Sequence, residues 1–362
     1  MRVLIVKLSS IGDIVHTLPA AAAVKRIVPD AKLFWVAERR SSEVLRNNRL
    51  LDGLIEVDTK ALRRGNAVLG KTLESAFRQF QEIRAPELDL SIDFQGLFKS
   101  AVISKISGVS RRFGFGKINL REPGCRFLYT DRIAVETRQN VVAKNLDLAE
   151  KALRSVFEDD SISFEGLPIE FPIDVEEDDR NEAGRVVDSI GREFLVLNPG
   201  GGWVTKLWRA EDYGALADLV WYDLGLVPVV TYGPGEEELA DRVAAASRSG
   251  RVVKADLSLK GFYHFAKSAA AYVGGDTGPT HLAIAAGCPV VGIYGPTEWW
   301  RNGSVNPSDI CVGRDDIDCR IDCHRRTCDK WICMDISPQT VLQSVRERLA
   351  RAGGPVPEGV SA

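Results

Sequence analysis

The chain has 362 residues, 45% apolar and 27% charged, with seven cysteines and a net charge of −3. That length suits about two domains, each with its own core, and no apolar run is long enough for a membrane-spanning helix. Residues 1–130 hold 22 Lys/Arg against 13 Asp/Glu, whereas the remainder holds 25 against 37. The basic half points to an anionic partner, either a phosphorylated lipid or a membrane surface. Nucleic acid is the least favoured partner because no nucleic-acid motif accompanies the charge, and scattered surface charge is the plain alternative.

Arg2–Leu8 reads as a buried strand and lacks the long apolar region of a signal peptide, so a cytoplasmic protein is expected. The turn Ser9-Ser10-Ile11-Gly12-Asp13 follows, and Pro19 opens an alanine-rich helix reaching about Val28. Strand Lys32–Val36, helix Ser41–Arg46, strand Leu54–Val57, helix Leu69–Arg84, strand Leu88–Asp93 and helix Leu97–Ile106 come next. A glycine- and arginine-rich passage from Gly108 to Arg126 then leads to the amphipathic helix Gln139–Ser155. This alternation predicts an α/β fold, a mostly parallel sheet with helices on both faces.

The acidic segment Val156–Asp179, with Pro168 and Pro172, suits a linker. A second alternating run follows: helix Arg180–Ile190, strand Phe194–Asn198, helix Ala210–Leu224, strand Val227–Tyr232, helix Glu236–Ser247, strand Val252–Lys254 and helix Gly261–Ser268. A strand ending at Val273 should turn at Gly274-Gly275 into a short helix, His281–Ala286, with Thr277 as N-cap and Pro279 as the first helical residue. Val290–Tyr294 is the next strand, and helix Pro338–Ala352 closes the fold. The expected domains are 1–170 and 171–352, with a disordered tail at 353–362. No internal repeat is visible. Two doubly wound domains in tandem would place ligands in a cleft at the carboxyl ends of their strands.

Four loops at strand ends carry functional groups. Asp13, after Ser10 and Gly12, is either a general base or a helix cap. Gly200-Gly201-Gly202 exposes backbone N–H groups with Lys206 close behind, a phosphate cradle or else a flexible surface loop. The Gly233 loop brings Glu236 and Glu237 to a helix start, to hold ribose or to offset the helix dipole. The fourth loop holds Asp276, Thr277, Gly278 and His281 at a helix N-terminus, an anion site or an ordinary crossover.

The G-x-G-x-x-G fingerprint of dinucleotide enzymes, the Walker A loop and the G-x-S-x-G elbow are all absent from these strand ends. Four histidines do not make a metal centre. Cys319, Cys323, Cys328 and Cys333 fall in DCRIDCHRRTCDKWICM within the cysteine-rich segment 311–333. Their spacing is not a paired zinc ribbon, which leaves a structural metal, labile thiols or idle thiols open. No metal is assigned to the reaction.

MRVLIVKLSSIGDIVHTLPA, LRRGN at 62–66, DFQGLFKSA at 93–101, LREP at 120–123, TKLW at 205–208, GGDTGPTHLA and VVGIYGPTE together resemble the ADP-heptose:lipopolysaccharide heptosyltransferases of glycosyltransferase family 9, nearest the heptosyltransferase I branch. The similarity runs to about Thr297. It implies the GT-B fold, two Rossmann-like domains, the first for acceptor and the second for nucleotide sugar. The implied reaction is inverting transfer of heptose from ADP-heptose to Kdo of the lipopolysaccharide inner core, on Kdo-lipid A at the cytoplasmic surface of the inner membrane, with no cofactor required.

By the same resemblance Asp13 is the general base, with Ser10 and Gly12 beside it on the acceptor side. Lys206, Thr277 and Gly278 sit on the diphosphate, Asp276 and His281 in the donor pocket, and Glu237 or Glu236 on the ribose. Arg63, Arg64, Lys99 and Arg121 meet the anionic acceptor. The chain departs from that branch in having Gly201-Gly202 where hydroxyl residues stand, and in its cysteine-rich segment, which is closer to other members. A different sugar or acceptor within the family, as in heptosyltransferase II, is the alternative reading; a non-catalytic nucleotide or metal sensor is the least favoured.

Overall fold

A computed structural model describes residues 1–58, 81–84, 87–320, 323 and 325–351. The Arg63–Arg64 pair, most of the helix expected at 69–84 and the tail at 353–362 lie outside the described residues; positions 81–84 are helical. The chain divides into two compact units, 1–174 and 175–362.

In the first unit, β1 (Arg2–Val6), β2 (Lys32–Glu38), β3 (Gly53–Val57), β4 (Leu90–Asp93), β5 (Arg111–Phe115) and β6 (Asp131–Ile133) form one sheet in the order β3-β2-β1-β4-β5-β6. Every pairing is parallel. Val3–Val6 are essentially buried, as a continuous apolar run must be when helices cover both faces of a parallel sheet. The second unit has β7 (Phe194–Asn198), β8 (Val227–Tyr232), β9 (Val253–Asp256), β10 (Ala271–Gly275), β11 (Val290–Ile293) and β12 (Ile310–Val312), ordered β12-β11-β10-β7-β8-β9 and again parallel throughout. The two orders are the same once each unit is numbered from its own first strand. Direction reverses between β1 and β4 in one and between β7 and β10 in the other. In open sheets of this kind the crevice for ligands opens at the carboxyl ends of those strands.

Helix ends follow local chemistry. Asn140 caps the helix Val141–Phe157 by accepting from Val142 N at 2.9 Å. The helix Ala210–Leu224 stops at Gly225, whose φ of 66° is the left-handed value that glycine adopts without a Cβ clash. Its apolar face, with Tyr213, Leu216, Ala217, Val220 and Leu224, packs into the core with Leu195 and Leu197 of β7 and Val273 of β10.

Several expectations are corrected. Ser41–Arg46 is not an α-helix but a single 3₁₀ turn, Glu43–Leu45. The passage 108–126 hides β5, and β6 follows it; Gly114 in β5 disguised the strand, because a Cβ there would come within 2.5 Å of the Tyr129 ring. The strand expected to end at Val273 continues through Gly274 and Gly275, which pair with Gly292 and Ile293. These glycines serve close packing rather than a turn: Tyr272 covers Gly274, and Lys206 O would lie 3.2 Å from a Cβ on Gly275. The short helix starts earlier, at Gly278, and spans Gly278–Ala285. The segment expected as a linker is tied to the first unit by Asn48 Nδ2 donating to Pro172 O at 2.7 Å, and by Arg49 bonding Asp174 through its backbone N and its guanidinium.

Candidate active site

The first unit gathers its functional groups at the carboxyl ends of β1 and β4. Asp13 lies in the short helix Ile11–Val15, where Ser10 donates to Asp13 Oδ2 through both its backbone N (2.8 Å) and its hydroxyl (3.0 Å). The Lys7 ammonium, 5% exposed, stands 3.8 Å from Asp13 Oδ1 and donates to Phe94 O at 2.8 Å. Burial works to raise the Asp13 pKa, but Lys7, the two Ser10 hydrogen bonds and the field of His16 outweigh it and hold the carboxyl below its ordinary value. The carboxylate is thus ionised at neutral pH while 41% of its side chain stays open. Both uses read from the sequence, cap and reactive acid, are compatible here.

The β4 loop is built around Asp93, which is fully buried. Its Oδ1 accepts from Gln95 N (2.8 Å) and Gly96 N (3.2 Å), and its Oδ2 accepts from the Tyr129 hydroxyl (2.7 Å). Burial nonetheless leaves its pKa raised, and desolvation with the Asp93 charge pushes Tyr129 far up, so the phenol stays a donor. Gln95 Oε1 then accepts from Leu8 N at 3.0 Å and Ser9 N at 3.2 Å, which stitches the β4 loop to the β1 loop. Lys99 is half-buried, 3.3 Å from Glu38 at the end of β2, and Arg121 is exposed.

In the second unit, the carboxyl ends of β7 and β10 meet at Asp276, 5% exposed at its side chain. The Lys206 ammonium donates to Asp276 Oδ2 at 2.7 Å and to Asp276 O at 3.1 Å, and Asn302 Nδ2 donates to Oδ2 at 3.2 Å. His281 Nε2 lies 3.2 Å from Oδ1. Burial alone would raise this carboxyl; His281 and Lys206 together force it far below the ordinary range. Two of the three Lys206 donors are engaged with Asp276, leaving one for a ligand.

Thr277 is the N-cap of Gly278–Ala285 without a capping bond; its hydroxyl lies 3.2 Å from that of Thr280, which also pairs with Tyr272 at 2.9 Å. Pro279 has no N–H, so Gly278 and Thr280 supply the donors that a helix N-terminus leaves unpaired. Gly201 lies against this end: a Cβ on it would meet Leu207 at 2.9 Å and Thr277 at 3.4 Å, whereas Gly202 is open. Glu236 and Glu237 separate. Glu236 accepts from Gly233 N at 3.1 Å and crowds Gly200, whereas Glu237 is exposed.

Lys7, Gln95, Asn302, Trp203 and Arg326 are site residues that the sequence did not single out. The Trp203 ring carries Lys206 Nζ at 4.5 Å and the Arg326 guanidinium at 5.1 Å from its centroid. Its spacing three residues before Lys206 was the one available signal. Arg326 and Asn302 come from far along the chain. Arg326 belongs to the cysteine-rich segment, which packs on the Lys206 loop: Thr205 Oγ1 donates to Arg325 O at 2.6 Å, and Trp331 Nε1 donates to Thr205 O at 3.1 Å. Cys319 and Cys328 are exposed, Cys323 is half-buried and Cys333 is buried. Among the described residues, no group of three or more His, Cys, Asp or Glu side chains is arranged to hold a metal ion.

Residues 76–332 match glycosyltransferase family 9 (heptosyltransferase). The chain is 32% identical over 330 residues to lipopolysaccharide heptosyltransferase 1 of Pseudomonas aeruginosa, covering 91% of this chain and 87% of that protein. The structure of the E. coli heptosyltransferase WaaC with ADP superposes with a TM-score of 0.76 at 24% identity, over 96% of this chain and all of the other. WaaC with ADP-2-deoxy-2-fluoro heptose gives 0.71 at 25% identity, over 86% of this chain and 93% of the other. The paired Rossmann-like units are the GT-B fold of these transferases. With the family matched across most of its length, the chain is an enzyme of glycosyltransferase family 9, the heptosyltransferases.

Proposed function

We propose that the enzyme transfers heptose from ADP-heptose to Kdo of the lipopolysaccharide inner core, with inversion, at the cytoplasmic face of the inner membrane. The observation that carries this reading is the Asp276 cluster at the β7/β10 switch point, beside a helix N-terminus. It is suited to a leaving diphosphate. Lys206 is paired with Asp276, the Arg326 guanidinium lies over the same Trp203 ring as Lys206, and the helix end adds partial positive charge, so charge developing on ADP meets a prearranged field.

Asp13 takes the proton of the acceptor hydroxyl as its oxygen bonds to the anomeric carbon and the bond to the diphosphate breaks. A carboxylate held ionised by Lys7 is a weak base, so it accepts the proton late, when the forming bond has acidified the hydroxyl. Glu236, facing the β7 loop, is the better placed of the two acids for ribose. His281 and Asn302 orient Asp276, and through it Lys206. Lys99 and Arg121, with Arg63 and Arg64, receive the anionic acceptor. Positive charge at the diphosphate comes from side chains and backbone, without a metal ion.

Mass spectrometry of Kdo-lipid A and of its heptosylated product, each incubated with ADP-heptose and enzyme, tests this. One heptose should be added to the first acceptor, with chelator present or absent, and Asp13→Ala should abolish the addition while leaving ADP-heptose binding intact. Addition to the heptosylated acceptor alone would favour a heptosyltransferase II-like role. Full activity in Asp13→Ala would remove Asp13 as the base.

A further inference from the structure

The loops that follow β4 and β5 carry apolar surface that neither the core nor the site accounts for. Phe98 is 55% exposed, Ile118 75% and Phe127 68%, and Val102 stands one helical turn beyond Phe98 on the helix Phe98–Ile106. They form one neighbourhood. Phe98 N donates to Glu122 Oε2 at 2.6 Å, Cys125 Sγ lies 3.6 Å from Gly96 O, and the turn Pro123–Leu128 packs on both the helix Phe98–Ile106 and the turn Lys117–Asn119. A soluble surface scatters such side chains singly; a group of large ones marks an interaction site.

Charge identifies the occupant. Residues 98–132 contain eight Lys/Arg against two Asp/Glu. Lys117 and Arg121 are exposed among the apolar residues, and the Arg126 guanidinium lies 4.4 Å from the centroid of the Phe127 ring. Large apolar side chains interleaved with cations match a bilayer whose surface is anionic: rings enter the acyl boundary and cations stay at the phosphates. Position agrees. β1, β4 and β5 are adjacent and parallel, so the β5 loop is two strand spacings, about 10 Å, from the β1 loop that carries Asp13.

We infer that Phe98, Val102, Ile118 and Phe127, with Lys117 and Arg126, form a membrane-docking surface for anionic lipid, beside the carboxyl end of the sheet where the β1 loop carries Asp13. The inference rests on the proposed use of a lipid-linked acceptor. A lipid seated here projects its sugar toward Asp13 without leaving the bilayer.

Co-sedimentation of the full chain with vesicles tests it. Wild-type enzyme should bind vesicles of phosphatidylethanolamine and phosphatidylglycerol, and bind phosphatidylcholine vesicles far less. Combining Phe98→Ser, Ile118→Ser and Phe127→Ser should weaken binding to the anionic vesicles by at least about tenfold. Combining Lys117→Gln and Arg126→Gln should remove the preference for phosphatidylglycerol. Transfer to a deacylated, water-soluble acceptor should stay at the wild-type rate in both variants, which separates docking from catalysis. Unchanged vesicle binding in the triple variant would overturn the surface. Failure of wild-type enzyme on the soluble acceptor would count against the transferase reading and leave the vesicle result standing on its own.

Discussion

Asp13 and Asp276 show how differently two carboxylates are used within one chain. Asp13 is open, and one cation sits on one side of it. Asp276 is closed, with Lys206, Asn302 and His281 on its two oxygens, an arrangement that suits the positioning task proposed for it. Its folded pKa is depressed. The resulting stability is therefore present above the ordinary Asp value of about 3.9 and is lost as pH falls below it toward the folded value. Asp276→Asn should cost about 3 kcal/mol at pH 7, because it leaves a buried ammonium without its counter-charge. The gap from wild type should narrow at pH 3. Urea titrations at the two pH values check this; an equal gap at both would mean the ion pair contributes nothing. Asp13, Lys206, Asp276 and His281 were legible in the sequence because each follows a strand end within a short motif. Asn302 and Arg326 were not, because tertiary folding alone brings them near.

At the scale of elements, the loops carry the chemistry and the strands set where they meet. Strand periodicity located β1, β2, β7 and β8 well, since apolar runs buried on both faces are hard to mistake. β5 escaped because Arg111, Arg112 and Gly114 interrupt its apolar pattern, and β6 and β12 have only three residues each. The pair Gly274-Gly275 was misread for a related reason: glycine signals both turns and close packing, and only the neighbouring Tyr272 and Lys206 loop decide between them. The cysteine-rich segment has a structural task through Trp331, whose indole holds Thr205 next to Lys206. Trp331→Ala should raise the KM for ADP-heptose several-fold while lowering kcat less, in steady-state kinetics. Equal KM values would detach this segment from the donor loop.

At the scale of the molecule, two units repeat one strand order with no matching sequence. Each has its own sheet and buried core, so residues 175–362 expressed alone should unfold cooperatively and bind ADP by calorimetry, without transferring sugar. A fragment that failed to bind would show that donor affinity draws on the first unit. The uneven charge, basic before residue 130 and acidic after it, accords with the proposed assignment of an anionic acceptor to the first unit and the donor to the second.

The strand order also governs when the Asp13 loop is completed during synthesis. β1 precedes the other described strands of its sheet but sits mid-sheet, and its β4 partner lies 87 residues further on. Lys7 and the backbone of Leu8 and Ser9 wait for Phe94 and Gln95 to fix them. At about 5–20 residues per second, the ribosome takes on the order of 4–17 s to supply that partner. Through that interval the apolar β1 has only its nearer neighbour β2 to pair with. Non-local pairing of this kind slows folding, so a nascent chain holds the sequence around Asp13 well before it holds the geometry.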